Sequence, residues 1–265
     1  MKSSKPIAGR YLGYREADDA QPYARFFNPE LAPLAPHICA ALDRGGVPDV
    51  LIPGIDQANS NLFGAEAVLE DGWVLTQDGG MRVSVRTAMP GVTPAMVDWW
   101  FGWHGCEAQR YKLWHPKAHI DARWADGRND ENYIGRTSLI TEYLGPSVLK
   151  GAIGFVPPAV MGFNPDRLAA QGEVVICARV GVPGTALKGG WLLHQLRPVA
   201  GGSEMRSRMW MGGENTALGD NPGAIRRGLA RAIRPVASKL LPAPADLLVH
   251  NAQEMAHLAG FLPQL

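Results

Sequence analysis

Cysteine is scarce: the three present, Cys39, Cys106 and Cys177, lie far apart and form no C-x-x-C pair. That excludes a disulfide framework and a cysteine zinc site, and it fits a reducing, cytoplasmic setting. Net charge is nearly absent. A formal +1 with acids and bases interspersed leaves no electrostatic footprint for nucleic acid or for an anionic membrane surface. No apolar run approaches the roughly 20 residues that span a bilayer, and the opening MKSSKPIAGRYLGYREADDAQ has no secretory apolar region. Neither export nor a membrane span is expected. G-x-S-x-G, the Walker phosphate loop, G-x-G-x-x-G after a strand and H-E-x-x-H are also missing, which removes the commonest hydrolase, nucleotide and zincin readings.

What is present is an ordinary globular composition, 46% hydrophobic and 19% charged over 265 residues, enough to bury a substantial core. Basic residues concentrate only in RRGLARAIR, where Arg226, Arg227, Arg231 and Arg234 are expected on a solvated helix face. Residues 1–64 are rich in Pro, Ala and Asn, with one short helix near 36–43, and read as an arm or small subdomain. From 65 to 265 the pattern is periodic. GWVLTQDGGMRVSVRTAMPG predicts a hairpin turning at Asp78-Gly79-Gly80. TPAMVDWWFGWHG predicts a helix capped by Thr93, opened by Pro94 and ended by Gly105. AQRYKLWHPKAHIDARW is read as extended in its first half and broken at Pro116. RTSLITEYLG predicts a strand with Glu142 on the side of Ile140 and Leu144, and GEVVICARVG, GGWLLHQLRPV and SEMRSRMWMGG continue an antiparallel meander. Two helices close the chain. An α+β domain with the last helix against one face of a curved sheet follows.

That last helix, PADLLVHNAQEMAHLAGFL, places Leu247, His250, Glu254, His257 and Phe261 on one side, because steps of three and four return to the same face. His250 and Glu254, one turn apart, can present an imidazole nitrogen and a carboxylate oxygen together to a metal, or form an exposed pair. Further donors have to come from the sheet, where WHPKAH offers His115 and His119 and the strand offers Glu142 on an apolar face. An unpartnered carboxylate there is costly.

DWWFGWHG, QRYKLWHPKAH, EYLGP and H-N-A-Q-E, in this order over about residues 70–260, resemble the diacetylphloroglucinol hydrolases and phloretin hydrolases. That family cleaves an acyl carbon from a phloroglucinol ring. The resemblance implies a helix-grip domain, the fold of the birch pollen allergen, holding Zn2+ through two histidines and two glutamates. These fall on His119, Glu142, His250 and Glu254, with His115 the alternative first ligand. It implies a small acylated phenol as substrate and, with the proline-rich arm, a homodimer. Tyr111 matches a substrate-orienting tyrosine. A second tyrosine of the family falls near Trp210, and no asparagine follows His119, where Asp121 and Ala122 stand; these departures bear on which ring oxygens are bound. Under this reading His194 is the candidate for proton transfer or orientation, or else a histidine bonded within the sheet. Glu254 is a permanent ligand or a general base, and the tryptophans of DWWFGWHG are a pocket wall or simple core.

Two rivals use the same residues. His119 and Asp121, with His194 or His250, could form the facial triad of a non-haem iron oxygenase. A helix-grip binding protein for an aromatic ligand would leave His250 and Glu254 an incidental pair.

Overall fold

The computed structural model describes residues 13–63, 69–220 and 222–265. Part of the expected arm, residues 1–12 and 64, lies outside them. In chain order the elements are α1 (Pro36–Arg44), α2 (Ala58–Phe63), β1 (Gly72–Leu75), β2 (Met81–Pro90), α3 (Pro94–Trp103), α4 (Ala108–Trp114), β3 (His119–Trp124), β4 (Thr137–Leu144), β5 (Ser147–Val156), α5 (Pro165–Gln171), β6 (Val174–Gly181), β7 (Leu187–Val199), β8 (Gly202–Met211), β9 (Ala217–Leu218), α6 (Ala224–Ser238) and α7 (Pro244–Phe261).

Neighbouring strands pair antiparallel in the order β1-β2-β8-β7-β6-β5-β4-β3, with β9 added to β7. The β1–β2 turn is made where the sequence places it: Gly79 has φ of 82°, a region open to glycine, and Asp78 accepts from Thr76 Oγ1 and the Gly80 N–H. From β2 to β4 there are five inter-strand steps, roughly 24 Å in a flat sheet. Because α7 nevertheless packs on both β2 and β4, the sheet curls around it. This is the helix-grip arrangement.

Two faces of α7 are buried. Leu248 and Ala252 join Val83, Val85 and Met209 near its start, and Met255, Leu258 and Phe261 join Trp100, Trp114 and Leu196 near its end. A fully buried side chain of this kind contributes roughly 1.5–3 kcal/mol, so the grip on α7 rests on its apolar residues. It does not need the polar ones, and His250 and Glu254 are carried into the interior by that packing. Among the described residues no helix is long and apolar enough to cross a membrane.

Two sequence expectations are corrected and one strand is added. AQRYKLW is helical (α4), not extended: its apolar Tyr111, Leu113 and Trp114 are all buried, and the chain becomes extended only at His115, the residue before Pro116. The strand SVLKGAIGFV, β5, which the sequence reading did not include, pairs with β4 along its length and with β6 over Ala152–Val156. On α6, Arg226, Arg227 and Arg231 are exposed as expected, whereas Arg234 is half-buried and donates to the Glu214 carbonyl.

The start of α3 follows its sequence signals, whereas its end comes at Trp103 and Gly105 lies inside the 3-10 turn His104–Cys106 that follows. Thr93 Oγ1 accepts from the Met96 N–H at 3.3 Å, and Pro94 occupies the first turn. Its Gly102 faces the loop 126–135, and Arg136, 5% exposed, ties that loop down through Asp126, Asp130 and the carbonyls of Arg128, Asp130 and Asn132. The Arg136 guanidinium also lies 4.2 Å from the Trp124 ring centroid.

Candidate metal centre and cavity

β3 carries the first donor through an irregularity. His119, Ala122 and Trp124 are all buried, although residues 119 and 122 belong to opposite faces of a regular strand. The register shift between His119 and Asp121 resolves this: one extra residue turns His119 inward. Its Nδ1–H donates to the Tyr111 carbonyl at 2.8 Å, leaving a lone pair on Nε2, and the Tyr111 ring stacks on the imidazole at 3.7 Å. His119 pairs with Glu142 across β3 and β4, which places the carboxylate beside it.

From α7, His250 and Glu254 arrive opposite. His119 Nε2 lies 3.4 Å from His250 Nε2 and 3.5 Å from Glu254 Oε2, and His250 Nε2 lies 3.6 Å from the same oxygen. Donors bonded at about 2.0–2.1 Å to one tetrahedral ion stand about 3.3–3.4 Å apart, so this triangle has the dimensions of one coordination shell. His119, His250 and Glu254 are the compact group. Glu142 Oε2 is 3.6 and 3.7 Å from the two imidazoles, stands to the side of that group, and accepts the Tyr111 hydroxyl.

The electrostatics favour a cation. Two imidazole nitrogens facing each other with two carboxylates alongside bring electron pairs together in a buried space, which is unfavourable unless a positive charge intervenes. The protein's own groups register this. Although burial opposes it, Glu142 and Glu254 raise His250 above the ordinary histidine range, while His250 and His119 hold Glu254 well below the carboxylate range against the opposite pull of burial. Asn251 Nδ2 donates to Glu254 Oε1 at 2.9 Å, leaving Oε2 turned to the histidines. The donor set therefore suits a borderline metal such as zinc.

Asp121 is not brought to the group. Its carboxylate pairs with Arg123 at 3.0 Å on the outer side of the strand, so the His119–Asp121 facial triad has no carboxylate to use. His115 is also outside it. The imidazole is buried and stacked on His250, with ring centroids 4.9 Å apart, and burial drives it down to about 2, so it packs as a neutral ring behind the ligand. His257 is buried one turn beyond Glu254, edge-on to Phe261.

Beside the donors lies a cavity of about 110 Å³, largely apolar, walled by Phe101, Trp114, Ile153, Phe155, Leu192 and Met209. Tyr111, Glu142, His194, His250 and Glu254 open onto it. So do His104, Ser138 and Asn251, which sequence reasoning passed over; Ser138 Oγ and Asn251 Oδ1 have no hydrogen-bond partner among the described residues. For Asn251 a signal existed, its place between His250 and Glu254 on the helix. For Ser138, two strand steps of two residues before Glu142 put it on the same face, but a lone serine says nothing. Trp100 and Trp103 of DWWFGWHG are core behind the wall, which the motif contributes through Phe101 and His104. Trp210, near which the family resemblance implies a second tyrosine, turns to the other face and donates to the Pro53 carbonyl; strand alternation makes Met209 the residue that faces the cavity.

His194 is 4% exposed, shares a 2.8 Å hydrogen bond with Ser207 Oγ through Nδ1, and burial lowers it to about 4. The unfolded chain takes up this proton as pH falls through 6.5 and the native state only near 4, so acidification across that window favours unfolding. Between pH 7 and 4 the protein is expected to lose about 3 kcal/mol more stability than a His194→Gln variant, read from urea midpoints at each pH. Parallel pH dependences for the two proteins would contradict a dry, neutral imidazole.

The chain is 28% identical to a 2,4-diacetylphloroglucinol hydrolase of Pseudomonas sp over 99% of its length and 93% of that protein's. It is 30% identical to the phloretin hydrolase of Eubacterium ramulus over 97% of its length and 93% of that protein's. The solved structure of Ara h 8.0201 matches at 12% identity over 64% of this chain and 99% of that one, with a TM-score of 0.33. Residues 51–265 match the DAPG hydrolase PhiG domain, which spans most of the sequence and includes every donor described above; the chain belongs to this family.

Proposed function

We propose that the protein hydrolyses the carbon–carbon bond between the aromatic ring and the acyl carbon of an acylphloroglucinol-type ketone, releasing a carboxylic acid and the phenol. The observation that carries this reading is the convergence of imidazole and carboxylate lone pairs on the wall of a buried apolar cavity, in a chain related to hydrolases of such compounds. His119, His250 and Glu254, joined by Glu142, would hold zinc. When bound, that ion supplies acidified water and a Lewis acid for a ketone oxygen.

The residues of the chain do the rest. The apolar wall excludes bulk water and accepts an aromatic ring. His194, neutral and anchored through Ser207, presents Nε2 for proton transfer to or from the ring or its oxygens. Tyr111, stacked on His119, orients a phenolic oxygen beside Glu142. Glu254 either remains a ligand or accepts the proton of the attacking water. In sum, a ring carbon gains a proton and the ring becomes its keto tautomer. Water adds to the acyl carbon, the ring–acyl bond breaks, and its electron pair returns to the ring as a delocalised enolate that is the phenol after protonation.

The metal-replete protein is expected to liberate acetate from monoacetyl- or diacetylphloroglucinol, or the arylpropanoic acid from phloretin, detected by chromatography of the acid. Tight binding of these phenols with no acid formed from any of them would make the protein a carrier instead.

A further inference from the structure

His104 occupies the turn after α3 and takes no part in the metal group. Its Nδ1 lies 2.8 Å from the Trp100 carbonyl oxygen, which can only accept, so Nδ1 carries the proton. The ring is fixed in that orientation on several sides. Trp100 stacks on it at 5.4 Å and 18°, and Trp114 and Phe101 meet it edge-on at 4.9 and 5.4 Å. A flip would put carbon where Nδ1 donates and would break the bond. Nε2 is then an acceptor with no hydrogen-bond partner among the described residues, on a side chain that lines the cavity. Burial lowers the imidazole to about 4, so the acceptor persists at neutral pH.

No donor of the described residues reaches His104 Nε2: the Ser138 hydroxyl and the Trp114 Nε1–H on the cavity wall make no hydrogen bond, and two other donors are engaged elsewhere. The Tyr111 hydroxyl goes to Glu142 and the Asn251 amide to Glu254. A ligand that fills this cavity and displaces water from it either brings a donor to His104 Nε2 or leaves that acceptor unsatisfied, at a cost comparable to the hydrogen bond itself. An aromatic hydroxyl is the donor that matches, since its flat ring suits the Phe101 and Trp114 walls and its O–H is acidic and rigidly directed. We infer that His104 is a specificity-determining residue that accepts a hydrogen bond from one phenolic hydroxyl of the substrate. This deepens the proposed function and rests on it for the identity of the substrate. The chain thereby selects acylphenols with that hydroxyl free and rejects the corresponding ether.

The test compares kcat/KM for an acylphloroglucinol with that for each of its mono-O-methyl ethers, in the wild-type protein and in His104→Phe, which keeps a flat ring of similar size. The wild type is expected to discriminate about tenfold to hundredfold against one particular ether. In His104→Phe, activity on the parent falls by that factor while activity on that ether is unchanged, so their ratio approaches one. An equal loss on the parent and on every ether, or discrimination that survives the substitution, overturns the inference. Where the variant does not fold, 15N-histidine NMR of the wild type decides. The unprotonated Nε2 resonance of His104 is expected to shift on saturation with phloroglucinol and not with 1,3,5-trimethoxybenzene, and an unchanged resonance with both overturns the inference. Absence of acid release by the wild type refutes the hydrolase reading, and the NMR titration still judges His104 separately.

Discussion

His250→Ala is expected to reduce bound metal from about one ion per chain to near none and to lower kcat/KM for acid release by about three orders of magnitude. The substitution removes one corner of the triangle formed with His119 and Glu254, whose sides are 3.4, 3.5 and 3.6 Å. The remaining donors then lack the convergence that holds an ion against competition from water, and the loss of several kcal/mol of charge stabilisation at the ketone corresponds to roughly a thousandfold in rate. The fold is expected to survive, because α7 is held by Leu248, Met255 and Leu258, all fully buried. His115→Ala is the matched control: it removes a ring stacked on His250 but no donor, so metal content, read by elemental analysis, stays near that of the wild type. Retention of full metal and activity in His250→Ala would remove the metal reading altogether.

The second large effect is on stability. A Cβ placed on Gly102 would stand 1.7 Å from the Glu131 carbonyl oxygen, less than half an ordinary contact. Relief requires moving backbone, and neither side yields readily. Gly102 is in α3, whose Trp100 is completely buried, and the Glu131 segment is gripped by Arg136 and by the Trp99 Nε1–H bond to Glu131 at 3.1 Å. Gly102→Ala is expected to destabilise the protein by about 3 kcal/mol or more, near the upper end for overpacking. That is a fall of roughly 6–12 °C in Tm by calorimetry. Gly260→Ala, near the end of α7 with open space around its Cβ position, is expected to be stabilising by up to about 1 kcal/mol. A Gly102→Ala protein as stable as the wild type would mean that the loop 126–135 does not press on α3.

Legibility of the fold tracked the strength of local signals. Thr93-Pro94, Asp78-Gly79-Gly80 and the alternation in β6, β7 and β8 each state a local geometry that the tertiary structure had no reason to override. QRYKLW misled because its seven-residue helix is too short for periodicity to separate from a strand, and β5 was missed because two glycines interrupt its alternation. In the site, His250 and Glu254 were legible as a pair from their spacing on one helix. Choosing His119 over His115 was not, because an extra residue in β3 decides which side chain turns inward.

By itself the amino-acid sequence determined the chemistry on offer: imidazoles and carboxylates set among apolar periodic segments, no cysteine ligands, and a final helix with a histidine and a glutamate one turn apart. Tertiary structure alone decided which of seven histidines meet. Donors separated by more than a hundred residues are brought to the spacing of one coordination shell by the curl of the sheet around α7, and His104 becomes a directed acceptor only because the Trp100 carbonyl and the surrounding rings hold its tautomer. The reason is range: spacing along a chain constrains groups that share a helix or a strand, while convergence between elements depends on curvature, register and packing that no local pattern contains.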